Sequence, residues 1–291
     1  MAGSEQPAQP GTLYVVATPI GNLRDIGLRA LDVLRSVDRI AAEDTRVTQG
    51  LLATYGITRP LTALHEHNEA TVTPRLIARL QAGESLALVS DAGTPGLSDP
   101  GAHLVRAARL AGVPVVPIPG PSAAATALSV AGISAPHWLF YGFLPSRAAA
   151  RRRTLQDLAA LPYHLVFYEA PHRILDCVAD LAASLGPERE LILARELTKR
   201  FEQVISLRLG EAQAWLKADA ERQRGEFVLI VAGAQPGARA ETSNARQVLA
   251  TLLAELPASQ AARLAARLTG LKRSALYALA LDIKPEGEDQ P

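Results

Sequence analysis

Cysteine is almost missing: Cys177 is the only one in 291 residues. That excludes an internal disulfide framework and a Cys-rich zinc site, and it points to a reducing compartment, with the cytoplasm as the default. No glycine pair is spaced i, i+2, so the dinucleotide-binding fingerprint is absent, and the lack of a Gly-Lys dipeptide removes the phosphate-cradling P-loop. Neither S-x-x-K nor G-x-S-x-G occurs, which excludes two common serine-nucleophile arrangements. Charge is missing from Leu110 to Ser146, but prolines at 114, 117, 119, 121, 136 and 145 cut that stretch into pieces too short to cross a membrane. The opening MAGSEQPAQPG lacks the basic start and apolar core of a secretory signal, and residues 1–11 read as a disordered tail. Among the six histidines the nearest thing to a metal cluster is HEHNE, His65 to Glu69; without full ligand spacing it reads as a polar loop at a sheet edge, and no metal is expected.

What the chain has is the composition of a globular protein, 48% hydrophobic and 20% charged, with enough length for two domains and a small third. The fold class reads as α/β. TLYVVA, RIAAE, SLALVS and VPVVPI are short apolar runs separated by amphipathic stretches, which predicts a mostly parallel sheet in an N-terminal domain over 12–143. A second α/β domain follows over 144–233: a helix from SRAAARRRTLQDLAAL, strand HLVFYE, helix PHRILDCVADLAASLG, a hairpin from ELILARE and FEQVISLRLG, a helix and strand EFVLIVAG. AQPGARAETS, 234–243, reads as a linker. Residues 244–284 hold three short helices, the last two joined near Thr269-Gly270 as a helix-turn-helix requires, and 285–291 are a tail. From Arg239 to Lys284 seven Lys or Arg stand against three acids, a net of +4, so with +1 overall the remainder carries −3. A basic helical module on an acidic body suits a polyanion. A solvated helical cap, held on the body by Leu249, Leu252, Leu264, Leu268 and Leu276, fits the same pattern.

Three Gly/Pro-rich loops each follow a strand: ATPIGNLRDI, SDAGTPGLSDPG and PIPGPSAA. In open α/β sheets ligands sit outside the carboxyl ends of the strands, so these loops are expected to converge on one crevice. Their small residues let main-chain groups approach a flat polar ligand, and their few charges argue against a polyphosphate.

These loops, together with AAEDTR, GFLP, YEAPHR and GEFVLIVAG in this order, resemble the tetrapyrrole methylase superfamily and, more narrowly, its ribosomal RNA small subunit methyltransferase I branch. The resemblance runs from about Leu13 to Asp282. It implies two α/β domains with S-adenosylmethionine in the cleft between them, a homodimer, and methylation of the ribose 2′-hydroxyl of a decoding-centre cytidine in 16S rRNA of the small ribosomal subunit. Where porphyrin methylases of the superfamily carry G-P-G-D and G-D-P, this chain has Thr18-Pro19-Ile20-Gly21 and Gly93-Thr94-Pro95. That difference favours an RNA substrate over a tetrapyrrole. By motif position, Pro19, Asp91, Gly93, Thr94, Pro95, Leu97, Ser122, Ala123, Tyr168, Ala232 and Gly233 are expected around the cofactor.

Removing a proton from a ribose hydroxyl needs a carboxylate or histidine near the cleft. Glu169 and His172 in YEAPHR, Asp44 and Glu43 in AAEDTR, and Glu196 in ARELTK are the candidates. Asp44 could instead cap the helix starting at Thr45, and Glu196 could pair with Lys199 or Arg195. Arg46, Arg173, Lys199, Arg200, Arg151, Lys272 and Arg273 suit RNA phosphates. A small-molecule methyltransferase and a non-catalytic nucleic-acid-binding regulator are the rival readings.

Overall fold

The computed structural model describes residues 7–134, 136–234 and 239–283. The tail at 1–6, linker residues 235–238, Lys284 and the tail at 285–291 lie outside the described residues.

The first lobe is built on β1 (Leu13–Val16), β2 (Arg39–Ala42), β3 (Leu61–Ala63), β4 (Leu86–Val89) and β5 (Val115–Ile118), in the order β3-β2-β4-β1-β5 with every pairing parallel. Parallel neighbours need long crossovers, usually helical. The chain supplies α1 (Leu28–Ser36), α2 (Thr45–Thr54), α3 (Glu69–Gln81) and α4 (Ala102–Leu110), with α5 (Ala123–Val130) after the last strand. Successive residues of a strand face opposite sides. Tyr14 and Val16 therefore join a core with Leu34 and Ile40, while Leu13 and Val15 join a second core with Leu76, Leu88 and Leu104. With both faces covered, the strands are apolar along their whole length, which is why they were readable. Leu61–Ala63 is only three residues, all half-buried, and gives no such signal.

The second lobe comprises β6 (Trp138–Phe143), α6 (Ala148–Leu158), β7 (His164–Glu169), α7 (Ile174–Leu185), β8 (Glu190–Arg195), β9 (Gln203–Arg208), α8 (Leu209–Lys217) and β10 (Phe227–Val231). Its sheet runs β6-β7-β10-β8-β9; β6 and β7 are parallel and the other pairs antiparallel. WLFYGF is thus the edge strand of the second sheet, and residues 138–143 go with the second lobe, not the first as the position of GFLP suggested. Arg151, expected at RNA phosphates, is a buried tie between α6 and α7: its guanidinium meets Asp180 Oδ2 through Nε at 2.7 Å and Nη2 at 2.6 Å.

The two lobes form one compact unit. A second unit is drawn from Asp157–Pro162 and the chain from Gly233 on. It contains α9 (Arg239–Leu253), α10 (Ala258–Thr269) and α11 (Arg273–Ile283). These helices have a core of their own in Ala245, Leu249, Ala261, Ala262, Ala265, Leu276 and Ala280. Leu249 and Leu276, which a cap would turn toward the body, are used inside the unit, and Leu268 is exposed. Among the described residues no helix is long and apolar enough to cross a membrane.

Candidate active site

The loops after β4, β1 and β5 leave three neighbouring strands at the same end of the first sheet, and hydrogen bonds stitch them together. Thr18 and Gly93 exchange backbone bonds at 2.8 and 3.1 Å, the Thr18 hydroxyl donates to the Ser90 carbonyl at 3.1 Å, and the Thr94 hydroxyl donates to the Pro121 carbonyl at 3.0 Å. Gly93 takes φ +84°, a left-handed conformation in which a side chain is strained whatever the space around it. From the second lobe, the Tyr168 hydroxyl accepts the Ala124 N–H at 3.0 Å, and the Thr198 hydroxyl accepts the Asn22 N–H at 3.0 Å. Glu196 and Thr198, at φ +52° and +65°, hold the latter loop in a conformation that non-glycine residues rarely adopt.

Between these walls lies a cavity of about 340 Å³. Ile20, Gly93, Thr94, Leu97, Ser122 and Ala123 line it from the first lobe; Phe143, Tyr168, Leu197, Phe227 and Val228 line it from the second. Its charge is lopsided. Glu43, Asp91, Asp99 and Glu226 face it, against one cation among the described residues, Lys199, whose Nζ is held by Glu196 at 2.9 Å and Glu226 at 2.8 Å. Burial, reinforced by the charges of Glu43 and Asp91, pushes the Asp99 carboxyl up to about 6 against an opposing hydrogen bond from Ser90. Burial also raises Glu43, with Asp91, Glu66 and Asp44 adding repulsion and the Asp91 N–H opposing. Glu169 is buried at the end of β7. Its Oε1 accepts the Ala170 N–H at 2.9 Å and lies 3.2 Å from Arg173 Nε, while its Oε2 is buried with no hydrogen-bond partner. The arrangement suits a cationic ligand lying on main-chain loops.

Comparison with known proteins agrees with this geometry. The model for Tetrapyrrole (Corrin/Porphyrin) Methylases matches residues 12–213, and the model for the RsmI C-terminal HTH domain matches residues 239–284. The chain belongs to the tetrapyrrole methylase family. It is 54% identical over 268 residues to "Ribosomal RNA small subunit methyltransferase I" of Xylella fastidiosa strain Temecula1, covering 92% of this chain and 98% of the relative. It is 53% identical over 273 residues to the protein of the same name from Pseudomonas aeruginosa, with 93% and 97% covered. Among solved structures, diphthine synthase matches with a TM-score of 0.58 at 16% identity, covering 76% of this chain and 90% of that one. Uroporphyrin-III C-methyl transferase from Thermus thermophilus complexed with S-adenyl homocysteine matches at 0.53 and 18%, with 76% and 97% covered. These structural likenesses establish the fold.

In this tetrapyrrole methylase the residues expected around a cofactor divide. Asp91, Gly93, Thr94, Leu97, Ser122, Ala123 and Tyr168 line the cavity; Pro19 and Pro95 are buried in the loops without lining it. Ala232 and Gly233 are at the wrong end of their strand. β10 runs antiparallel to β7, pairing Phe227 with Glu169 and Val231 with Leu165, so the cavity meets the start of β10 and not its end.

Of the candidate proton acceptors, Glu43 reaches the cavity; Glu169 lies in its wall at the end of β7, but its carboxylate is fully buried on the Phe167 face of the sheet, beside Arg173 and Cys177. Asp44 caps α2, accepting the Arg46 N–H at 2.8 Å, and the Arg46 guanidinium lowers its carboxyl to about 2, too weak a base for the task. His172 is exposed on a 3-10 turn, Pro171–Arg173, and lies off the cavity wall. Glu196 also lies off the wall; burial raises it, but Lys199 and the Glu226 N–H outweigh burial and hold it low.

The cations expected at RNA sort the same way. Arg173 donates to the Leu144 and Pro145 carbonyls at 2.6 and 3.3 Å, Lys199 is held in the cavity wall, and Arg151 is buried, so these three serve the protein itself. Arg46 is exposed but paired with Asp44, Arg200 sits over the Phe201 ring at 5.5 Å, and Lys272 and Arg273 stand exposed at the start of α11. Asp99, Glu226 and Phe143 went unnoticed as site residues. Each lies in a motif already singled out, and that membership was the available signal.

Proposed function

We propose that this chain transfers a methyl group from S-adenosylmethionine to the ribose 2′-hydroxyl of a decoding-centre cytidine in 16S rRNA, acting on the small ribosomal subunit as a cytoplasmic homodimer. It is a small-subunit rRNA methyltransferase, and its cofactor is S-adenosylmethionine. The observation that carries the reading is the cavity itself, four carboxylates around backbone-rich loops. Such a wall suits a ligand bearing a sulfonium and an ammonium and repels a polyphosphate. Gly93, Thr94, Ser122 and Ala123 would hold the ligand through main-chain groups, with Tyr168 closing the opposite side.

When bound, the cofactor supplies a methyl group already activated on a sulfonium. The protein's task is then alignment and proton removal. The two walls fix the approach of the hydroxyl and exclude water, and alignment of this kind is worth up to about 7–11 kcal/mol of a barrier. Glu43, which faces the cavity and whose carboxyl is raised chiefly by burial, takes the hydroxyl proton.

The test uses labelled cofactor with chelator present, offering small subunits, naked 16S rRNA and a tetrapyrrole in parallel. Label is expected in rRNA as alkali-stable 2′-O-methylcytidine; label in a base, or in the tetrapyrrole alone, overturns the reading. Glu43→Gln should lower kcat by about 10²–10⁴-fold with cofactor Kd nearly unchanged. An unchanged kcat in a natively folded variant would remove Glu43 from the mechanism.

A further inference from the structure

A regular β6 would place Trp138, Phe140 and residue 142 on one face and Leu139, Tyr141 and Phe143 on the other. The observed pairing departs from this. Phe140 lies opposite Val166, Gly142 opposite Phe167 and Phe143 opposite Tyr168, which leaves Tyr141 as the extra residue of a bulge. Phe143 is thereby brought round to the face of Phe140, and both rings meet Tyr168 edge-on, with centroids 5.6 and 5.0 Å away. Tyr141 turns to the opposite face, against Phe167 at 6.0 Å.

The bulge is locked from the first lobe. Gly142 sits at φ +80°, where a Cβ would stand 2.3 Å from Ser98 Oγ, and Ser98 itself sits at φ +68° in the SDAGTPGLSDPG loop. A conformation open to glycine at 142 and a strained one at Ser98 thus meet at the bulge that directs one ring. That ring stays 50% exposed on the cavity wall, so burial does not account for it.

We propose that the exposed face of Phe143 is the platform on which the base of the target nucleotide stacks, presenting its sugar to the cavity. The proposal rests on the reading of the chain as an RNA methyltransferase. The cavity of about 340 Å³ is at the small end of ligand sites and is also the place of the cofactor, so a polynucleotide can bring one sugar to its mouth and no more. Enzymes that modify one nucleotide of a polymer must draw it away from its stacked neighbours and hold it there. Phosphate contacts cannot do this here. Among the described residues Lys199 is the only Lys or Arg on the cavity wall, already shared by two carboxylates, and the remaining carboxylates repel phosphate. A flat apolar ring is indifferent to that charge.

The experiment compares Phe143→Ala, Phe143→Leu and Phe143→Trp in the full chain, reading RNA KM, kcat and cofactor Kd separately. Binding of a single-stranded RNA oligonucleotide is followed by anisotropy at several salt concentrations. Phe143→Ala should raise RNA KM by between about 5-fold and about 150-fold, the range of one base–aromatic stack, with cofactor Kd within about twofold. Its salt slope should match wild type, because no phosphate contact is lost. Phe143→Leu, which keeps apolar volume without a π face, should resemble Ala, and Phe143→Trp should restore binding. Unchanged KM in the Ala variant, wild-type behaviour of the Leu variant, or loss of cofactor affinity in step with RNA affinity would each overturn the platform. A wild-type protein that binds RNA and methylates none defeats the functional reading instead, and the anisotropy series still tests the ring.

Discussion

Asp99 is held where its charge is disfavoured, half-buried and facing Glu43 and Asp91. Its carboxyl, near 3.8 in the unfolded chain, titrates at about 6 in the folded protein. Between those values the native state binds the proton more tightly, so stability falls as pH rises through 6 and is flat above. Asp99→Asn should therefore melt higher than wild type at pH 8, with the gap closing by pH 4. The gain is modest, since solvent screens a partly exposed group. An equal Tm difference at both pH values would show that packing and not charge is responsible. The sequence made the loop carrying Asp99 conspicuous. It could not show the neighbour that shifts its proton, because Glu43 arrives from the end of another strand, more than fifty positions earlier.

At the scale of elements, the run Arg151-Arg152-Arg153 shows how composition misleads. Arg151 read as a phosphate ligand, yet adjacent positions of one helix take roles that the letters cannot separate: Arg151 points into the α6–α7 interface while Arg152 and Arg153 are exposed. Arg151→Met leaves Asp180 buried without its main partner and should cost about 3–5 kcal/mol, the range for breaking one side of a buried ion pair. Arg153→Ala should stay within about 0.5 kcal/mol. Urea denaturation separates the two, and Arg151→Met/Asp180→Leu should recover most of the loss. The reverse outcome, full stability with weakened RNA binding, would return Arg151 to the RNA. The parallel strands of the first lobe were legible because burial on both faces leaves uninterrupted apolar runs. β3 was too short to register, and β6 carries Gly142 in its interior, which reads as a boundary and is a bulge.

Taken as a whole, the molecule separates its charges by unit, an acidic cavity in one and a basic helical unit in the other. Lys272→Glu with Arg273→Glu should weaken RNA binding and flatten the slope of log affinity against log salt by on the order of 1–2, with cofactor Kd unchanged. The start of a recognition helix is where such contacts concentrate, and both residues are exposed there. An unaltered slope would assign RNA capture to the other unit. The net charge of this segment was countable in the sequence, and the linker before it set it apart. What the letters left open was whether Leu249 and Leu276 pack inside the segment or against the body, and both lie in its own core.

β10 is the middle strand of the second sheet, and no strand follows it among the described residues. A ribosome translating this message therefore releases β6 with β7, and β8 with β9, as two separate ribbons before the strand that joins them exists. From the end of β9 to the end of β10 is 23 residues, about 1–5 s of synthesis at about 5–20 residues per second. For that interval each ribbon presents an unpaired edge to any other strand nearby, a hazard the finished sheet no longer has at its centre. The start of β10 also completes the cavity wall, so a nascent chain acquires its ligand site and loses its stickiest edges in the same step. Slow codons between 209 and 231 would prolong both conditions together.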